Sequence, residues 1–302
     1  MKKYIPYLLL FLFLFPVEIF CQRNIEEYIN IIKEIDKLCD GKGSVMLAKI
    51  DSTANSYKEF LDFYSERSSF SEKKSYLGNE LLLYQHMIKS YLYIDYLEYN
   101  TELYKIKYSY YVFKNENFLK DSLQLSQLAN SINAEIVFSD YRITLKKTYL
   151  DAEQRLKNNS PQLNLSIASS FNTKGIEYIN DPINKLTYGV ACGDGGDSPD
   201  GFMVFASLVH YKEYSTLEKL LYSPNPVSRL YAADGLMYSN RKHQHTLNDS
   251  VLFQITQIYS DDIQIHTCSG CSGKDLPIKY AKIEFEEQME NPYENIIFIR
   301  EK

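Results

Sequence analysis

Along most of the chain, apolar residues recur at steps of three or four. Ile25, Tyr28, Ile29, Ile32, Ile35 and Cys39 form one such face, and Asp40-Gly41-Lys42-Gly43 ends it, because glycine just past a helix is a stop signal. Ile50, Ala54, Tyr57, Leu61 and Tyr64 predict a second helix over 46–67. The longest series is Leu77, Leu81, Tyr84, Ile88, Leu92, Tyr96, Tyr99, Leu103, Ile106, Tyr110 and Phe113. Its mean step matches the helical repeat of about 3.6 residues, so a long helix is expected there, with a break at Asn100-Thr101. A second stripe of Tyr93, Leu97, Tyr104, Tyr108 and Tyr111 implies packing on two sides. Residues 116–130, and Val137, Tyr141, Leu145, Thr148, Ala152 and Leu156, predict two further helices. Residues 22–158 therefore read as a helical domain, a bundle or a stack of helical hairpins.

The pattern fades over 159–198, a segment rich in Asn, Ser, Gly and Asp that reads as an irregular connector, with 163–171 as a surface strand. Ser198 and Pro199 then look like the N-cap and first residue of a helix over 199–212. Helices are predicted over 215–222, 227–239 and 246–259. Ile263, Ile265 and Thr267 alternate with polar residues as in a short strand, and 280–285 and 296–299 suggest two more. The expected fold class is mainly α, with a helical domain over 199–302 that ends in a small β or irregular cysteine-containing tail.

Within that second part, 217–236 resembles a HEAT-type helical repeat. Leu217, Leu220 and Leu221 occupy the first helix, Ser223-Pro224-Asn225-Pro226 the break, and Val227, Arg229, Ala232, Ala233 and Leu236 the second helix. The resemblance covers about 20 residues, and Gly235 departs from it, since glycine costs about 1 kcal/mol in a helix interior. It implies α-α stacking, a structural role for Arg229 and a binding function.

Composition places the chain in a compartment. Lys2 and Lys3 precede an unbroken apolar run over 8–15 that Pro16 ends. This is the layout of a secretory signal, too short for a span of about 20 residues. Residues 1–21 are expected to be removed, which makes the protein exported, periplasmic or extracellular. Cys21 raises lipidation as an alternative, although the bulky Phe20 before it departs from the lipobox pattern. An uncleaved signal or that lipid would be the membrane attachment. The formal charge of −6 argues against nucleic acid as a partner.

In an exported chain the four remaining cysteines, Cys39, Cys192, Cys268 and Cys271, read first as disulfides. Cys268-Ser269-Gly270-Cys271 is compatible with a redox dithiol, half a zinc site or a structural bridge, either within the motif or to Cys192. His243, His245, His266, Cys268 and Cys271 together offer soft ligands for zinc, the cofactor of an alternative thiol- or metal-dependent envelope enzyme. Asp194, Asp197 and Asp200 lie in a glycine-rich turn without calcium-loop spacing. Tyr93, Tyr104, Tyr108 and Tyr111 are candidates for a recognition surface, or else core residues in a chain with 27 tyrosines and no tryptophan. No H-E-x-x-H, G-x-S-x-G or P-loop appears. The expected function is binding of a protein or a surface polymer, without catalysis or a cofactor.

Overall fold

The computed structural model describes residues 29–30, 32–34, 36–37, 71–89, 92–111, 118–139, 142–169, 171–193, 196–199 and 201–289. The predicted helix over 46–67, the strand over 296–299, the apolar leader, Cys21, Cys39, Asp194 and Asp200 all lie outside them. The described part of 29–37 is helical, with Ile29 and Ile32 buried.

The mainly-α expectation is wrong. The stretch assigned to one long helix is a β-meander: β1 (Ser71–Gly78), β2 (Leu81–Lys89), β3 (Leu92–Tyr99) and β4 (Glu102–Tyr111). After it come α1 (Phe118–Ser131), β5 (Glu135–Phe138), β6 (Arg142–Thr148) and α2 (Leu150–Asn159). The six strands form one antiparallel sheet of order β1-β2-β3-β4-β6-β5. The protein is therefore mixed α/β, and neither a helical bundle nor a HEAT-like α-helical architecture describes it.

Two causes explain the false helical period. The strands begin at 71, 81, 92 and 102, a repeat of ten or eleven residues, and three helical turns take about 10.8 residues. Any series stepping by three or four thus returns to the same place in each successive strand. In addition, β3 is buried at seven of its eight positions, which removes the two-residue alternation that marks a half-exposed strand. The turns carry the local signal that decides the matter. Asn79 and Glu80 have φ of 51° and 61°, and Asn100 and Thr101 have 50° and 66°. Two consecutive residues at positive φ are the signature of the type I′ hairpin turn, whose twist matches that of the strands.

The chain divides into two compact units. The first takes residues 85–95 and 105–148 together with the N-terminal residues, and the second takes 73–84, 96–104 and everything from 149 onward. In the first unit β4 pairs with β6 from Lys105↔Thr148 to Tyr111↔Arg142, and β5 pairs with β6 from Glu135↔Lys146 to Phe138↔Ile143. The helix predicted over 137–156 is thus β5, β6 and the start of α2. Helix α1 buries Leu125, Leu128 and Ala129 and ends where Asn133 turns left-handed at φ 53°. Lys107 Nζ meets Asp95 Oδ2 at 3.0 Å, and Lys147 Nζ meets Asp36 Oδ1 at 2.8 Å, which ties the 29–37 helix to β6.

In the second unit, Ala152 and Leu156 of α2 pack with Leu81, Leu83, Leu97, Tyr99 and Tyr104. The rest is α3 (Thr173–Asn180), β7 (Thr187–Tyr188), α4 (Phe202–His210), α5 (Tyr214–Leu220), α6 (Pro226–His243), α7 (Asp249–Tyr259), β8 (Gln264–Ser269), β9 (Ser272–Pro277) and α8 (Ile278–Glu284). Residues 159–198 thus contain a helix and a short strand, 163–171 is not a strand, and 280–285 is helical rather than extended. The N-cap of α4 is Gly201, not Ser198. Strands β7 and β8 pair in parallel, and β8 and β9 antiparallel.

Helix α6 is the centre of this unit. It begins with Asn225 capping the Val227 N–H at 3.1 Å and Pro226 in the first turn, and nearly its whole circumference is buried from Pro226 to Ser239. Gly235 is accounted for by close packing, since a Cβ there would lie 2.9 Å from Val209 Cγ2 of α4.

Candidate functional site

The residues that offered an alternative zinc set do not come together. Among the described residues no three His, Cys, Asp or Glu side chains converge on a point that suits a metal ion. His243 and His245 stand at the C-terminal end of α6, against Tyr214 of α5. The Tyr214 hydroxyl lies 3.1 Å from His243 Nδ1, and its ring stacks on His245 at 4.0 Å. Burial lowers the His243 pKa, and the charges of Lys212 and His210 push in the same direction. Cation-poor surroundings suit a metal ligand, so this environment does not.

His266, Cys268 and Cys271 lie on the other structure, the β8–β9 hairpin. Cys268 is bridged to Cys192, with Cα atoms 5.6 Å apart, and Cys271 sits exposed at the hairpin turn beside Gly270, whose φ is 54°. The hairpin pairs Ser269 with Ser272, so the C-x-x-C does not open a helix as a thioredoxin-like dithiol would. The segment 191–193 runs alongside it through Gly270 N–H to Ala191 O at 3.1 Å and Gly193 N–H to Gly270 O at 2.7 Å. Asp197 belongs to the same turn, its carbonyl accepting from Cys192 N–H at 2.7 Å. His266 Nδ1 lies 2.9 Å from Asp275 Oδ1, and Lys73 Nζ lies 2.5 Å from Asp275 Oδ2. Burial alone would raise the Asp275 pKa, but the hydrogen bonds from Lys73 and His266 outweigh it and hold that carboxyl below its ordinary value. These contacts fasten the hairpin and leave His266 engaged in a structural pair.

The tyrosine surface is also corrected. Tyr104 and Tyr108 are 3% and 1% exposed, so they are core. Tyr93 is half-buried on β3, and Tyr111 ends β4. Burial pushes the Tyr104 hydroxyl far above its ordinary range, as it does for Tyr188 of β7 and Tyr231 of α6.

The arrangement best suited to hold a ligand is one that the sequence did not nominate. In the first unit the 29–37 helix and α1 border a cleft of about 440 Å³, lined by Ile29, Asn30, Lys33, Gln124, Gln127, Leu128 and Ser131. That volume falls in the range of small-ligand sites, roughly 300–1,000 Å³. Ile29 and Leu128 are 7% and 3% exposed and fix the walls to the core, while Asn30, Lys33, Gln127 and Ser131 are exposed and present amide, ammonium and hydroxyl groups. Helical spacing produces this: Gln124, Gln127, Leu128 and Ser131 follow at steps of three, one and three on α1, and so share a face. Ser131 donates its hydroxyl proton to Leu128 O at 2.8 Å, which leaves its oxygen to accept. Gln124 Oε1 is buried and accepts no hydrogen bond among the described residues. A buried amide oxygen without a donor costs about 1–3 kcal/mol, and nearly all such groups in folded proteins are satisfied by protein, water or ligand. Among the described lining residues, Lys33 carries the one formal charge.

No family model, no curated protein and no solved structure matches the chain.

Proposed function

We propose that the protein is an exported recognition protein that binds a surface polymer or another exported protein through the cleft between the 29–37 helix and α1. The observation that supports this reading is the cleft itself, of about 440 Å³, where Asn30, Lys33, Gln127 and Ser131 present exposed hydrogen-bonding groups beside the apolar side chains of Ile29 and Leu128. Export is supported by the basic start and apolar run of residues 2–15 and by the Cys192–Cys268 bridge, which is compatible with an oxidising compartment. No described helix is long and apolar enough to cross a membrane.

The test is binding of the full chain to a panel of purified envelope polysaccharides and exported proteins, with amide hydrogen exchange to locate the contact. Saturable binding with slowed exchange confined to 29–37 and 118–131, abolished by Gln124→Leu, is the expected result. A ligand that slows exchange elsewhere and leaves these segments unchanged would remove the proposal.

A further inference from the structure

Independently of the cleft, we infer that the β8–β9 hairpin is a thiol–disulfide exchange site, in which Cys268 and Cys271 compete for one partner, Cys192. The bridge joins Cys192 to Cys268 with Cα atoms 5.6 Å apart, and Cys271 stands outside it, exposed at the hairpin turn. The backbone also brings Cys192 beside Cys271. Cys192 pairs in parallel with Gly270, the residue before Cys271, and Gly193 N–H donates to Gly270 O at 2.7 Å. Paired segments lie about 4.8 Å apart and rise about 3.3 Å per residue, so the Cα one step past a paired residue is about 6 Å away. Disulfides join Cα atoms about 4.4–6.8 Å apart, and both pairings of Cys192 fall in that range. Gly193 and Gly270 leave the approach open, since a Cβ at either would meet no atom within 4 Å.

Exchange needs a proton carrier, because the attacking species is a thiolate. The contacts that fasten the hairpin supply one. Against the effect of burial, Lys73 and His266 keep the Asp275 carboxyl ionised. A carboxylate only accepts, so His266 carries its proton on Nδ1, 2.9 Å from Asp275 Oδ1, and Nε2 is left as the basic nitrogen. Nε2 lies over Gly273, where a Cβ would stand 3.2 Å from it. Gly273 is the cross-strand partner of Cys268 and lies two residues after Cys271. The basic nitrogen thus stands level with one competing cysteine and two residues from the other.

The step balances within the chain. Cys271 gives its proton to His266 Nε2, and its thiolate attacks Cys192 Sγ. The Cys192–Cys268 bond breaks as the Cys192–Cys271 bond forms, and the Cys268 thiolate takes the proton back from His266. No oxidant or reductant is consumed. The released thiol moves from exposed Cys271 to Cys268, which is 7% exposed, so the exchange presents a thiol to an outside disulfide or hides it.

The experiment is disulfide mapping of the full chain, held near about pH 8 where a fraction of an ordinary thiol is ionised, quenched in acid and read by tandem mass spectrometry with fragmentation between Ser269 and Gly270. Cys192–Cys268 and Cys192–Cys271 linkages are both expected from one preparation, and Cys271→Ser should leave only the first. Cys268→Ser, refolded with oxidised glutathione, should bridge Cys192 to Cys271. The proton carrier is tested by reaction with an aromatic disulfide probe, counting only the rate that Cys271→Ser removes. His266→Asn should slow it at least about tenfold near about pH 7, since positioned proton transfer contributes about 10²–10⁴-fold, and change it little near about pH 9, where hydroxide removes the thiol proton unaided. A wild-type map with the Cys192–Cys268 linkage alone, a bridge from Cys271 to Cys39, folded Cys268→Ser without the Cys192–Cys271 bridge, or a wild-type rate in His266→Asn near about pH 7 would each overturn the inference. If Cys268→Ser does not fold, the wild-type map decides.

Discussion

Replacing Asp234 tests whether the core of the second unit is organised around a buried carboxylate. Its side chain is 2% exposed and accepts three bonds: from the Tyr188 hydroxyl to Oδ2 at 2.7 Å, from the Tyr259 hydroxyl to Oδ1 at 2.9 Å, and from Lys282 Nζ to Oδ1 at 3.1 Å. Lys282 also lies 5.1 Å from the centre of the Tyr259 ring. Asp234→Asn keeps the shape but turns one acceptor into a donor and removes the charge. One of the tyrosine hydroxyls loses its acceptor, and Lys282 loses its counter-charge. Hydrogen bonds to charged groups contribute about 1.5–3 kcal/mol each, and a charge left without its buried partner costs about 3–5 kcal/mol. The Lys282 side chain is 22% exposed and can turn toward water, which reduces the second figure. A net loss of about 2–4 kcal/mol follows. At roughly 2–4 °C per kcal/mol for a domain of this size, the melting temperature should fall by roughly 4–16 °C. Thermal melts of the full chain followed by near-ultraviolet circular dichroism, which reports on buried tyrosines, provide the assay. Tyr188→Phe should cost about 1–3 kcal/mol by leaving Oδ2 without its donor. A double-mutant cycle between the two should return a coupling of about 1 kcal/mol or more. If Asp234→Asn melts within about 1 °C of the wild type, the carboxylate is not what holds these elements together.

The His243 pKa is depressed, so the folded state binds fewer protons than the unfolded one. Stability should be complete above about pH 6.5 and decline as pH falls below it, and His243→Gln should flatten that slope in denaturant titrations at stepped pH. Cys192→Ser opens the loop between residues 76 apart in sequence, and chain-entropy reasoning gives a loss of about 4–5 kcal/mol, to be read by urea melts with and without reductant. Thr101 is β-branched and exposed at φ 66°, so Thr101→Gly should stabilise the β3–β4 hairpin by about 1 kcal/mol, and a lower urea midpoint would contradict the turn assignment. Gly189→Ala places a Cβ 2.3 Å from the Cys268 carbonyl oxygen, a backbone atom that cannot swing aside, and should reduce the yield of folded protein.

How much of this was legible in the sequence differs between the two units. From residue 202 onward the local signals are strong. Asn225-Pro226 opens α6, Asn248 caps α7 by accepting from Val251 N–H at 2.9 Å, and Ile265 and Thr267 of the alternating series fall in β8, just after Ile263. These elements are specified by their own caps and periods. Arg229 is buried in α6, where its Nη1 donates to Ser223 O at 2.8 Å and burial draws its pKa down to about 10. Between 71 and 148 the periodicity misled, because a meander of ten- and eleven-residue units imitates three helical turns. The better guide was steric. Gly78-Asn79 and Asn100 supply residue types that tolerate positive φ, at the spacing of hairpin turns. Such residues weigh more than the count of apolar matches, since a helix has no use for them in its middle.

The candidate site was illegible for a different reason. Asn30 and Lys33 stand about ninety residues before Gln124 and Gln127, and each pair alone is an ordinary polar face of an amphipathic helix. What distinguishes Gln124 from its neighbours is that its amide oxygen is out of water and without a donor among the described residues, a property of packing that no residue type carries by itself. Histidines, cysteines and tyrosines attract notice in a sequence because their chemistry is versatile. Here packing uses them structurally: in the Tyr214–His243–His245 contact, in the Cys192–Cys268 bridge, and in the buried hydroxyls of Tyr188 and Tyr231. A cleft whose described lining is mainly amides, a hydroxyl and an ammonium group carries no residue type that marks it in a sequence. It is therefore found by asking which buried polar atom lacks a partner, a question that arises only once the helices are placed.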